Sequence, residues 1–176
     1  MPTSPMSRSL RLSSYLAFFA LIVVQAACDL PRDPEGTLER VRGGTLRVGF
    51  VVDTPWVTAI GPSAGGLEGA IVAELARRLG ARVSWTHGAE TPLLTALHDG
   101  DLDLVVAGLT KDSPWAAKAS FTRPYYVDTA MVHGERTEIP HVVAVRPGEN
   151  AWQVYVERVL ESRKRELASL RHGPAR

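Results

Sequence analysis

The stretch LLTALHDGDLDLVVAGLT, residues 93–110, decides the fold. Leu93, Leu94 and Leu97 recur at helical spacing, and Gly100 stops the pattern. An apolar run from Leu102 to Leu109 follows at once, with the length and valine content of a strand. The run is mostly apolar rather than alternating, so both of its faces should be covered, as in a parallel sheet.

Working toward the N-terminus, Thr91-Pro92 opens this helix, with Thr as N-cap and Pro at the first position. Before it, Arg82 to His87 alternates, with Val83 and Trp85 on one side, and reads as a strand. Leu67, Ile71, Leu75 and Leu79 recur every four residues, with Val72 and Ala76 beside them. That is one helix face, ended by Gly80. Gly61 to Gly66 reads as a flexible loop, and Thr45 to Val52 as a buried strand ended by Asp53-Thr54-Pro55.

Strand, helix, strand, helix, strand at this spacing predicts an α/β fold with a mostly parallel sheet and flanking helices. The first and third strands should be neighbours, in a 2-1-3 order. Ligands in such sheets bind beyond the carboxyl ends of the strands, where the winding reverses. That rule selects the tips carrying Asp53 and Trp56 on the first strand and Gly108 and Thr110 on the third.

Toward the C-terminus, Asp112 or Ser113-Pro114 caps a short helix, and Phe121 to Tyr126 is an aromatic-rich turn. Val127 to Val132 and His141 to Val145 read as short strands joined through Gly134 to Pro140. A last helix starts at Asn150, with Gln153 completing a capping box. Trp152, Tyr155, Val156, Val159 and Leu160 form its packing face, and residues 168–176 are a polar tail.

The start of the chain carries a different signal. Arg8 and Arg11 precede an apolar run, Leu16 to Ala27, too short to span a bilayer as a helix. This is a secretory signal pattern. Ala26-Ala27-Cys28 resembles a lipobox, in which the cysteine is diacylated. The expected division is a signal peptide over 1–27, a tether over 28–44 containing a helical turn near Thr37 to Val41, and a lobe over 45–167. An ordinary signal cut near Ala26, leaving a free thiol at Cys28, is the other reading. Lipidation at Cys28 makes the bilayer a partner and the periplasm the location, and Asp29 tilts the anchor toward the inner membrane.

Composition excludes several classes. The formal net charge of +1 leaves no electrostatic footprint for nucleic acid. Cys28 is the only cysteine, so an internal disulfide, a redox pair and a cysteine zinc cage are ruled out. The histidines lack metal spacing, and the glycines of 61–69 form neither a phosphate loop nor a dinucleotide fingerprint. No nucleophile elbow is read either, so neither cofactor, metal nor enzymatic activity is expected.

The order of the motifs resembles the family 3 extracellular solute-binding proteins of ABC importers. The matching pieces are Gly44 to Gly49, Gly66-Leu67-Glu68, residues 93–110, and Phe121 to Tyr126. His141 to Leu167 is similar to the family's closing strand and helix. The resemblance implies a type II periplasmic-binding fold, a small polar solute, and an ABC permease or another periplasmic protein as partner. It also implies a second lobe between the aromatic turn and the closing strand. Residues 127–140 are too few to bury a core, so a short hairpin should stand there.

The amino-acid binders of the family place an Arg after the third strand to grip the ligand carboxylate. The corresponding residue is Trp115, which lacks the guanidinium fork. Lys111 and Lys118 lie nearby. The resemblance thus marks Asp53, Trp56, Gly108, Thr110 and Trp115 as ligand-binding residues. Structural alternatives stand beside these: Thr110 and Asp112 as helix caps, Trp56 and Trp115 as core closing the sheet's open end. Glu68 matches a family acid and otherwise reads as a partner of the helix dipole. An interaction or scaffold lipoprotein, docking a protein on the two tryptophans of the open cleft, is the competing function.

Overall fold

The computed structural model describes residues 33–132 and 134–172. The signal peptide, Cys28 and the start of the tether lie outside them. Helix α1 (Thr37–Val41) leads into strand β1 (Thr45–Phe50). A small hairpin of β2 (Thr58–Ile60) and β3 (Ser63–Gly65) follows, then α2 (Gly66–Leu79), β4 (Arg82–His87), α3 (Glu90–Asp99) and β5 (Leu104–Val106). A 3-10 turn (Pro114–Ala117), β6 (Ser120–Phe121), β7 (Tyr126–Val132), β8 (Glu135–His141), β9 (Ala144–Val145) and α4 (Asn150–His172) complete the chain.

The central sheet has the order β4-β1-β5-β9-β6. β1 lies parallel between β4 and β5, so the expected 2-1-3 arrangement is present. β9 runs antiparallel to both β5 and β6.

Residue parity splits the core in two. Leu46, Val48, Phe50, Leu104 and Val106 face one side, where α2 and α4 bring Leu67, Ile71, Leu75, Trp152 and Val156. Val105 and Ala107 face the other, where α3 brings Leu93, Leu94 and Leu97. Gly49 is small because α3 packs close: a Cβ there would meet Leu102 at 2.7 Å and Leu93 at 3.1 Å. One buried acid closes the sheet's opposite end. Asp103 is fully buried and accepts from the backbone and guanidinium of Arg47 at 2.9 and 2.6 Å, with Arg40 as a second partner.

Several expected boundaries move. β5 covers only 104–106, because Gly108 turns left-handed (φ 61°) and leads the chain out of the sheet. α3 begins at Glu90 with Ala89 in the N-cap position, so Thr91 is inside the first turn rather than capping it. Residues 61–66 are not a flexible loop; they hold the β2–β3 turn and the whole of β3. The capping box at α4 is absent. Gln153 sends its amide to the carbonyl of Phe121, and Asp33 supplies the acceptor for the Trp152 N–H at 2.9 Å. Glu149 caps in the other direction, accepting from the N–H groups of Glu35 and Thr37. Residues 135–140 are strand rather than connection, because every one of them pairs with β7.

Candidate functional site

The tips of β1 and β5 lie side by side. Val51 N–H donates to Val106 at 3.1 Å, and the loop beyond is closed by mutual backbone bonds between Asp53 and Val57. After β5, the N–H of Val142 bonds to Leu109 and that of Lys111 to Pro140, while Thr110 bridges His141. These bonds zip the exit of β5 against the base of the β7–β8 hairpin.

Between the tips lies an open cleft of about 360 Å³. Asp53, Gly108 and Thr110 line it, and so do Glu90 and Asp112. Gly108 forms its floor. A Cβ at that position would lie 2.1 Å from Asp53 Oδ2, so glycine is what lets the carboxylate rest on the backbone. The lining therefore holds three carboxylates and neither Lys nor Arg. Among the described residues no group of His, Cys, Asp or Glu is placed to hold a metal ion. The acids line the cleft without converging on one point.

Neither Trp56 nor Trp115 is a lining residue, although the edge of Trp56 reaches the floor, 3.2 Å from where a Cβ on Gly108 would stand. Trp56 is 6% exposed and belongs to the core. His141 stacks on it at 3.7 Å, and Tyr125 and Tyr126 stand at 6.3 and 5.5 Å from its ring. Trp115 lies in the 3-10 turn, packs on the α3 side of the core and carries Lys118 Nζ 5.6 Å from its ring centre. Trp56 is thus held in the core by its ring neighbours, and Trp115 stays half-buried against the α3 side.

Glu68 is the residue whose role sequence reasoning underestimates. It stands in the first turn of α2, and its side chain is fully buried instead of facing solvent at the helix end. Its backbone N–H donates to Trp56 at 2.9 Å. Its carboxylate accepts from Gly108 N–H at 3.1 Å and from the Tyr125 hydroxyl at 2.6 Å. Burial pushes this carboxyl up to about 7; hydrogen bonds from Tyr125 and from the N–H groups of Gly108 and Ala107 pull it down, and the charge of Asp53 pushes it up again.

Glu90 escapes the sequence reading because Thr91-Pro92 places the start of α3 two residues late. An acid opening a helix directly after β4 belongs to the same end of the sheet as Asp53, and that placement was the available signal. Contrary to the expectation that no nucleophile elbow is present, Gly61-Pro62-Ser63-Ala64-Gly65 has the spelling of one. Ser63 pairs with Ile60 in the β2–β3 hairpin and does not occupy a strand-to-helix turn.

A second hollow of about 180 Å³ lies among Arg123, Tyr125, Glu157 and Lys164. Its charged walls already include an ion pair, Arg123 to Glu157 at 2.8 Å.

The model of the bacterial extracellular solute-binding proteins, family 3, matches residues 46–170. Among curated proteins there is no significant match. Solved structures share the fold. The arginine-bound form of domain 1 from TmArgBP (T. maritima), in a single-substitution variant, has a TM-score of 0.60 at 24% identity over 73% of this chain and 98% of that chain. AncCDT-1, an ancestral cationic amino acid solute-binding protein, gives 0.63 at 16% identity over 75% and 95%. A protein described as an ABC-transporter binding component from Wolinella succinogenes, complexed with lysine, gives 0.59 at 12% identity over 70% and 91%.

Proposed function

The chain belongs to the bacterial extracellular solute-binding proteins, family 3, and from that premise we propose that its open cleft binds a small cationic solute. The observation that carries this reading is the lining: Asp53, Glu90 and Asp112 surround Gly108, with no cationic side chain among the lining residues. Opposite charge concentrates a cation there and repels an anion. Trp115 stands where the amino-acid binders of the family place their carboxylate-gripping Arg, and it packs half-buried on the α3 side and does not line the cleft. An amine or guanidinium compound without an α-carboxylate therefore suits this cleft better than an amino acid does. The relatives bound to arginine or lysine support the charge of the ligand, and the arginine-bound isolated domain supports binding by one lobe.

In this reading the β7–β8 hairpin stands in place of the family's second lobe, so the cleft keeps one wall. Good pockets bury about 70–90% of a ligand. A one-walled site should bind weakly, with Kd between about 10 μM and 1 mM. Calorimetry with agmatine, cadaverine, L-arginine, L-lysine and L-glutamate tests this. Agmatine and cadaverine should bind at least as tightly as the amino acids, and glutamate should not bind. Tighter binding of glutamate than of agmatine contradicts the reading.

The family is extracytoplasmic, and no helix among the described residues is long and apolar enough to cross a membrane. We place the lobe in the periplasm, anchored through acylated Cys28 and serving an ABC-type permease. Labelling with an alkyne fatty acid checks the anchor: the wild type should incorporate it and Cys28→Ser should not.

A further inference from the structure

Each buried acid of the described core has a balancing partner, and the partners differ in kind. Asp103 faces Arg40 and Arg47, and Glu74 faces Arg77 and Arg78. Glu149 is held by backbone N–H groups, with Arg146 adding its charge. Glu68 has only neutral donors, the Gly108 and Ala107 N–H groups and the Tyr125 hydroxyl, and the charged group acting on it is Asp53, of like sign. These donors belong to two different parts of the site. Gly108 is the cleft floor. Tyr125 precedes β7 and donates its own N–H to His141, at the end of β8.

We propose that Glu68 is the positioning residue of the cleft: it ties the floor at Gly108 to the base of the hairpin through Tyr125, so that a cation seated beside Asp53 is sensed at Glu68. The proposal rests on the cation reading of the cleft for its ligand, and on hydrogen bonds alone for the tie. A carboxylate accepts from the floor and from Tyr125 at once. A carboxylic acid must place its own proton on one oxygen, which weakens its hold on the donor there. Protonation of Glu68 therefore loosens either the floor or the turn.

The groups that face this cluster are few. Asp53 comes from the β1 tip and Tyr125 from the aromatic turn. His141 comes from β8, stacked on Trp56 with its ring 6.5 Å from that of Tyr125. A cation beside Asp53 offsets the repulsion that Asp53 exerts on Glu68 and favours the ionised form. By reciprocity, ionised Glu68 favours the cation. With the carboxyl titrating near neutrality, ligand uptake at pH 7 should release part of a proton.

The test is a ¹⁵N–¹H titration of the Gly108 amide in the full chain, from pH 5 to 9, with agmatine as probe. The expected result is a step near pH 7 that Glu68→Gln removes. Tyr125→Phe, which takes away one donor to the charged form, should move the step upward. Agmatine should move it downward. A Gly108 amide that stays flat, or a step that survives Glu68→Gln because His141 causes it, overturns the proposal. Bound agmatine that leaves the midpoint unmoved overturns the coupling. Failure of agmatine to bind by calorimetry defeats the cation reading instead, while the pH step still establishes the tie between Glu68 and Gly108.

Discussion

At the scale of single residues, the site depends on what glycine and a buried carboxyl permit. Gly108 adopts φ 61° with Asp53 resting on it. Gly108→Ala should cost about 1–2 kcal/mol in stability from left-handed strain. It should also displace Asp53 and weaken agmatine binding further, as denaturation and calorimetry on one preparation would show. Asp53→Asn leaves the fold intact and should lower agmatine affinity about tenfold, the low end for a charge-assisted contact at an exposed residue. Glu68 imposes a pH dependence on stability. Between its ordinary value of 4.5 and about 7, the native state holds a proton that the unfolded chain has lost. The stabilisation it provides is complete below pH 4.5 and is lost as pH rises through 7, a change of about 3 kcal/mol. Urea denaturation at pH 5 and pH 8 should show wild type losing stability relative to Glu68→Gln by roughly that amount. A constant difference between the two proteins would contradict it.

At the scale of elements, much of the fold was legible because it rests on local chemistry. Leu67, Ile71, Leu75 and Leu79 face the core as their spacing says, and Gly80 and Gly100 end their helices in left-handed conformations. What was hidden depended on partners far away in sequence. Gln153 looked like part of a capping box, but Asp33 reaches the start of α4 and leaves Gln153 for Phe121. Glu68 reads as a family acid or a partner of the helix dipole, because nothing in its own helix announces that Tyr125 will cover it. In the site, Asp53, Trp56, Gly108 and Thr110 follow from the rule about strand ends, but His141 holds Trp56 in the core beneath the floor and Trp115 packs half-buried on the α3 side. The strand-to-helix contact at Gly49 carries its own prediction. Gly49→Ala introduces a methyl 2.7 Å from Leu102 and should destabilise the fold by about 1–3 kcal/mol, measured by the shift of the urea midpoint.

At the scale of the whole molecule, the lobe is held together by its two-sided core, and the hairpin contributes little to it. Val127 is 47% and Met131 69% exposed, and β7 and β8 form a sheet of their own. Two-stranded hairpins are marginal by themselves. Replacing residues 129–138 with a short Asn-Gly turn should therefore shift stability by less than about 1 kcal/mol, within the range of surface changes. Tyr125, Tyr126 and His141 must stay, because they wrap Trp56. Loss of cooperative unfolding in the trimmed protein would show that the hairpin is part of the core after all. The hairpin gives the cleft no lining residue, so a solute there keeps one side in solvent and weak affinity is expected.

The most direct measurement is chemical-shift mapping of agmatine on the ¹⁵N-labelled chain at low salt. A solute held by Asp53, Glu90 and Asp112 should perturb the amides of 53, 90 and 108–112 and lose its effect as salt screens the acids. Shifts that gather instead around Arg123, Glu157 and Lys164, or none at millimolar agmatine, would contradict the account.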